Sequence, residues 1–331
     1  MSGKCLIIYN EPATDALPDE LDVLDQVNFI GRSLKTLGYQ VERQGITENF
    51  FNEIKSIPGQ GFDFVFNLVE SIGTKAEILY FIPGLLNLYN LPYTGCPVEA
   101  TFLTASKVLA RNIMKSNGIR VAGGYRVSEI SQLVIGQRYI LKPVWEDGSL
   151  GITEESVFTF DGITPGILSD KDDQHWFIED YIEGREFNVS VIGGPNGPEM
   201  LPPAEMLFID YPENIPRIVS YRAKWEENTF QYENSRRCFP ENLSDKLLGN
   251  LRAAVTACWH TFGLKGYARV DMRVDSDENV YVLEVNANPC ISPDSGFISA
   301  AFHAGYTHQD IIRNIINDLN RKEIPCPNYP M

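Results

Sequence analysis

The chain has 331 residues and carries 44 Asp and Glu against 28 Lys and Arg, a formal charge of −16. So acidic a balance argues against a nucleic-acid surface or an anionic membrane face, and the length accommodates two or three lobes. No apolar run approaches the roughly 18–20 residues that would cross a bilayer, and the six scattered cysteines contain no C-x-x-C pair, so neither a zinc site nor a disulfide framework is expected, and the reducing cytoplasm is the expected compartment.

In chain order, Met1–Tyr9 has a basic residue and a short apolar run, which reads as a first parallel strand rather than a signal peptide. Helix and strand signals then alternate throughout, as in α/β architecture. A strand through Phe64-Val65-Phe66-Asn67 leads into Leu68-Val69-Glu70. A helical pattern opens at Thr104-Ala105-Ser106-Lys107 and stops at Asn117-Gly118, with Lys107 near its start. Tyr139-Ile140-Leu141-Lys142-Pro143 is an apolar strand ending in a lysine. A charge there is costly to desolvate and needs a partner, which nucleotide phosphates would supply.

The loop Glu146-Asp147-Gly148-Ser149-Leu150-Gly151 follows at once, and its glycines let backbone N–H groups converge on an anion. It is not a Walker A loop, since no G-x-x-x-x-G-K-[ST] string occurs. Trp176 to Val191 gives two strands broken at Gly184, with Glu179 and Glu186 flanking the break. Ionised carboxylates only accept hydrogen bonds, so they suit a diol or an amino group.

The richest stretch is Ala268 to Ser295. Arg269, Asp271 and Arg273 alternate with Val270, Met272 and Val274; further on, Glu284 and Asn286 share a parity with Val280 and Val282, while Tyr281, Leu283 and Val285 face the other way. A period of two reads as strand. With a loop over Ser276–Asn279, the hairpin sets Asp271 opposite Glu284 and Arg269 opposite Asn286. Opposed carboxylates lie roughly 5 Å apart between Cβ atoms and repel unless a cation sits between them. An all-oxygen set of Asp271, Glu284 and Asn286 suits Mg²⁺.

These motifs resemble the ATP-grasp ligases, and within them the D-alanine–D-alanine ligase family, which carries a similar R-x-D on one strand, E-x-N on the next and a Pro-containing loop with a late serine. The resemblance runs from about Asp63 onward. It implies an α/β ATP-grasp fold: an N-terminal parallel α/β lobe over residues 1–100, then two α+β lobes over 101–183 and 184–331 that clasp ATP, with boundaries near Gly95-Cys96-Pro97 and Gly184. It further implies an ATP-dependent carboxylate–amine ligase working through an acyl phosphate. Lys107, Lys142, Ser149 and Lys224 would hold phosphates, Lys224 lying in Tyr221-Arg222-Ala223-Lys224-Trp225. Glu179 and the Ile182 backbone would bind adenine, and Glu186 the ribose hydroxyls. Asp271, Glu284 and Asn286 would carry one or two Mg²⁺ ions, with Mn²⁺ as an alternative. Arg269 would hold the acyl phosphate and Ser295 a substrate carboxylate. The partners implied are small-molecule carboxylate and amine substrates, with no nucleic acid or membrane, and a homodimer stays open.

The chain departs from the family pattern in the amino-acid pocket. Tyr9–Asp15 lacks the family's glycine-rich turn, Glu70 stands for a histidine, Gly148 for a serine, Trp225 for a tyrosine and Cys290 for a glycine. The expectation is retained ATP chemistry with a rebuilt amino-acid pocket. A true D-alanine–D-alanine ligase, an ATP-grasp kinase that stops at phosphorylation, and a nucleotide-binding protein without turnover are the other readings.

Overall fold

A computed structural model describes residues 3–319 apart from residues 14, 17, 74 and 147. The first sheet holds β1 (Lys4–Asn10), β2 (Gln40–Ile46) and β3 (Phe64–Leu68), all parallel in the order β2-β1-β3. Its central strand is apolar on both faces, as a strand sandwiched between layers requires. Cys5 and Ile7 point into a cluster with Val27, Ile30 and Leu34 of α1 (Pro18–Thr36). Leu6 and Ile8 point the other way, toward Ile54 of α2 (Phe50–Lys55) and Ile82 and Leu86 of α3 (Phe81–Leu88).

Two helices lead on from this lobe, α4 (Val98–Ala105) and α5 (Lys107–Ser116). Ser106 separates them and caps α5, its hydroxyl accepting from Leu109 N at 3.3 Å. The cap makes Lys107 the first residue of α5, and Gly118 follows the helix in the left-handed region at φ 73°. The second sheet is antiparallel, β4 (Gly124–Arg126), β5 (Arg138–Pro143), β6 (Val157–Thr159) and β7 (Trp176–Asp180) in the order β4-β7-β5-β6.

The third sheet contains β8 (Arg185–Gly194), β9 (Gly197–Met200), β10 (Ala204–Phe208), β11 (Ser235–Cys238), β12 (Tyr267–Val274) and β13 (Val280–Asn286). Its order is β11-β10-β8-β12-β13, with β9 on β8. Short helices α6 (Tyr221–Trp225) and α7 (Phe230–Asn234) lie between β10 and β11. Beyond them come α8 (Asp245–Phe262), α9 (Gly296–His303) and α10 (His308–Asp318). Leu247, Leu251, Val255 and Phe262 of α8 bury one stripe against Val270, Met272 and Val274, and α5 adds Ala110 and Met114 to the same core. That apolar layer presses the sheet from one side and leaves Arg269, Asp271 and Arg273 on the other. Phe297, Ile298, Ile311 and Ile315 of α9 and α10 pack with the α1 cluster, so the first and third sheets share a core.

The β12–β13 hairpin corrects one expectation while keeping its consequence. The loop is Asp275–Asn279, one residue longer than Ser276–Asn279, because the Asp275 carboxylate accepts from the N–H groups of Asp277 (3.0 Å) and Asn279 (2.8 Å) and closes the turn on itself. The register shifts between Asp271 and Met272, so that Leu283 is extra on β13. Val280 and Val282 therefore join Val285 in the core although they share a sequence parity with Glu284. The bulge cancels the longer loop, and Asp271 pairs with Glu284 and Arg269 with Asn286.

Candidate active site

The floor of the site is the polar face of the third sheet. Arg269, Asp271 and Arg273 lie opposite Ser190, Asn188 and Glu186 on one side, and Arg269 and Asp271 opposite Asn286 and Glu284 on the other. Asp271 takes a bidentate pair from Arg269, Nε and NH2 each at 2.7 Å, and a third bond from Asn188 Nδ2 at 2.9 Å. Burial works against the charge of Arg269, but Asp271 and then Glu284 outweigh it and hold the guanidinium protonated, above the ordinary arginine value. Asn286 Oδ1 accepts from the Asn288 N–H at 3.1 Å.

Lys107 stands over this floor. Its Nζ lies 3.5 Å from Glu284 Oε1 and donates to the Glu146 carbonyl, while its backbone N–H donates to Val144 O at 2.9 Å. The start of α5 is thus tied to the end of β5. Lys142 has the partner its burial demands, but from the chain itself: its Nζ is 2.6 Å from Glu179 Oε2, and both residues are buried. Residues expected at opposite ends of a nucleotide touch one another. Glu186 pairs with Arg273 at 2.7 Å, and burial raises its carboxyl pKa despite that partner. Ile182 lies in the connection between β7 and β8, close to Gly184, whose φ of 138° and close approach to Val274 O (a Cβ would stand 2.0 Å away) admit only glycine.

The glycine loop is stitched to α6. Ser149, at φ 67°, donates its hydroxyl to Val219 O at 2.7 Å, which commits that proton within the chain. Trp225 Nε1 donates to the Gly148 carbonyl at 3.2 Å. The two residues that depart from the family pattern here are in contact, an indole–carbonyl bond joining loop to helix. Asp147 of the loop lies outside the described residues. Lys224 sits with its Nζ 4.9 Å from the Trp225 ring centroid. Its side chain is exposed to solvent, and the surrounding protein, then Arg269, lowers its pKa, while Cys290, Glu70 and Asp271 act the other way.

Ser295 is the N-cap of α9, its Oγ accepting from Ile298 N at 3.3 Å. The hydroxyl proton stays available to an anion at this helix start, where N–H groups already favour negative charge.

Several supporting residues escaped the sequence reading. Gln26 of α1, 2% exposed, accepts from Ile291 N at 3.1 Å and donates to Glu70 Oε1 at 3.0 Å. Asp22 accepts from the Cys290 thiol at 2.9 Å. Asn288 donates to Val69 O at 3.0 Å and accepts from Tyr267 OH at 2.9 Å. Arg237 reaches Asp294 O and Ser299 Oγ at 3.1 and 2.9 Å. Most of these partners come from distant segments, which no local pattern in the sequence relates.

Among the described residues no three His, Cys, Asp or Glu side chains come together as a metal-binding group. The donor set at the hairpin is two carboxylates and an amide, all hard oxygens side by side on one sheet face, which is the chemistry of Mg²⁺.

A family model described as "D-ala D-ala ligase C-terminus" matches residues 129–317, more than half of the chain. The chain belongs to the D-alanine–D-alanine ligase family. Among curated members, the D-alanine–D-alanine ligase of Carboxydothermus hydrogenoformans is 29% identical over 302 residues, covering 87% of this chain and 90% of that protein. The enzyme of the same name from Actinobacillus succinogenes is 28% identical over 273 residues, covering 80% and 82%. The crystal structure of D-alanine–D-alanine ligase from Bacillus anthracis superimposes with a TM-score of 0.74 at 18% identity over 96% of this chain and 97% of that one, and its complex with ATP scores 0.72. The fold is the ATP-grasp fold, and the family makes this chain an ATP-dependent ligase. Every predicted site residue but Lys107 falls inside the matched segment; Lys107 and the α1 and Glu70 region precede it.

Proposed function

We propose that the chain joins a carboxylate, of an amino acid, to an amine through an acyl phosphate, with an amino-acid pocket that has diverged from that of its D-alanine-named relatives. What carries this reading is the convergence of Arg269, Asp271, Glu284 and Asn286 on one sheet face, with Lys107 and Lys224 reaching it from separate elements. The lobes 1–100, 101–183 and 184–331 would close around ATP, with Gly184 in the connection between the latter two. Glu179 and the Ile182 backbone receive the adenine edge and Glu186 the ribose hydroxyls, while the Ser149 N–H faces the phosphates.

Asp271, Glu284 and Asn286 would hold Mg²⁺, which when bound neutralises phosphate charge. A substrate carboxylate oxygen attacks the γ-phosphorus and ADP leaves. Lys107, Lys142 and Lys224 stabilise the charge on the transferring group, since catalysis of this step is mainly positioning and electrostatics. The amine nitrogen then attacks the acyl carbon, Arg269 holds the oxyanion, and inorganic phosphate departs. Ser295 and the start of α9 bind the other substrate's carboxylate.

Glu70 gives the pocket a negative charge, which favours the protonated forms of Lys224 and Cys290. Trp225 adds a broad ring, and a substrate cation over it would gain roughly 0.5–2 kcal/mol. The first substrate is therefore cationic or bulkier than alanine. A phosphate-release screen of paired amino acids with Mg-ATP tests both levels. D-alanine with itself ranking first by about tenfold, a 1.4 kcal/mol difference, overturns the diverged pocket. ADP formation without any amine overturns the ligase in favour of a kinase.

A further inference from the structure

Arg273 lies on the same face as Arg269 and Asp271, and the chemistry above makes no use of it. It is only 4% exposed, and its guanidinium joins three segments of the chain. NH2 is 2.7 Å from Glu186 Oε2 on β8 and also donates to the Arg217 carbonyl in the segment before α6. NH1 donates to the Gly184 carbonyl at 3.2 Å, where β8 begins. Its central carbon stands 5.5 Å from the Tyr181 ring centroid and 5.9 Å from that of Phe208, and the Tyr181 hydroxyl donates to the same Arg217 carbonyl at 3.3 Å.

A buried arginine is stable only when its donors are matched, and the planar fork reaches several acceptors in fixed directions that a lysine ammonium cannot span. Here two of those acceptors are backbone carbonyls, which tie the guanidinium to the β7–β8 connection at Gly184 and to the segment before α6 at Arg217. The third is the carboxylate of Glu186. With Oε2 held by Arg273, the carboxylate of Glu186 is fixed in orientation.

We propose that Arg273 is a positioning residue for nucleotide recognition, holding Glu186 so that its carboxylate discriminates a ribose from a 2′-deoxyribose. The proposal rests on Glu186 being the ribose acceptor, and the bland alternative is an arginine that merely fills the core. A filling role would change stability and ATP affinity without changing the ratio of affinities for ATP and 2′-deoxy-ATP.

That ratio is the measurement, by equilibrium titration of each nucleotide into the full chain in the presence of Mg²⁺, with thermal unfolding run beside it. The parent should prefer ATP by about tenfold, as loss of one charge-assisted hydrogen bond predicts. Arg273→Met should bring the ratio close to unity. Arg273→Lys, which keeps the charge and loses the fork, should reduce it by about threefold or more, and it decides the matter alone if the methionine variant does not fold. In a Glu186→Ala background, where the ratio is already near unity, Arg273→Met should change it no further. A parent-like ratio in a folded Arg273 variant, with Glu186→Ala having lost it, overturns the role of Arg273 and leaves Glu186 standing. A parent-like ratio in Glu186→Ala, or no preference in the parent, overturns the ribose assignment and this proposal with it.

Discussion

Replacing Lys142 with methionine removes an ammonium from a buried pair while keeping most of the aliphatic volume. Lys142 Nζ is 2.6 Å from Glu179 Oε2, with side-chain exposures of 11% and 3%. Methionine strands the Glu179 carboxylate, and breaking a buried pair in this way costs about 3–5 kcal/mol. Removing both charges, as in Lys142→Met with Glu179→Gln, should cost only about 1 kcal/mol, because replacing a whole buried pair is often close to neutral. The double variant should therefore be more stable than the single one by about 2–4 kcal/mol. At a urea slope of about 3 kcal/mol/M, the midpoint should fall by roughly 1 M or more in the single variant and recover most of that in the double. Intrinsic fluorescence in a urea titration reads both, and phosphate release should be lost in both, since neither keeps the lysine. If the double variant proves no more stable than the single, the pair is not the buried, mutually dependent unit that the geometry describes.

Glu284→Gln keeps the shape of the hairpin and removes one charge from the proposed metal set, so turnover should drop by about a hundredfold or more with circular dichroism unchanged; parent-like turnover at ordinary Mg²⁺ would sink the assignment. Gly184→Ala would place a Cβ 2.0 Å from Val274 O at a φ of 138°. It should cost at least about 2 kcal/mol, and an unaltered thermal midpoint would show that the connection relaxes freely. Lys224 titrates below the ordinary lysine value of 10.5, because protein around it and then Arg269 disfavour its charge. Between that lowered pKa and 10.5 the unfolded chain binds more protons than the folded one, so this group's contribution to stability rises with pH across that window. Turnover runs the opposite way: its alkaline limb should fall below pH 10.5 and move upward in Lys224→Arg, and a limb unmoved by that substitution assigns the titration elsewhere.

The parts of the site that could be read from the sequence were those encoded by neighbours in the chain. The helical pattern opening at Thr104-Ala105-Ser106-Lys107 placed Lys107 near a helix start, and the alternation in Ala268–Val274 put Arg269, Asp271 and Arg273 on one face. The bulge at Leu283 was not legible: alternation put Val280 and Val282 on the face of Glu284, and the structure buries them instead. What the sequence could not display were side chains brought together across large separations. The Lys142–Glu179 pair spans 37 residues and the Asp22–Cys290 contact 268, and no periodicity relates such positions. The sequence also showed Gly148 and Trp225 as two separate losses; only their contact reveals one replaced joint.

The hairpin's two offsets, a lengthened loop and a bulged strand, give the site a form of insulation. Arg269, Asp271, Glu284 and Asn286, the proposed acyl-phosphate and metal set, lie on the near side of Leu283, and the charged tip lies on the far side. A change of one residue at the tip can be taken up by the bulge, which already carries a spare residue, without turning Glu284 or Asn286 off the sheet face. The turn and the proposed ligand set can thus differ in length independently, while Ser244, Lys246 and Asn250 at the start of α8 hold the turn itself in place.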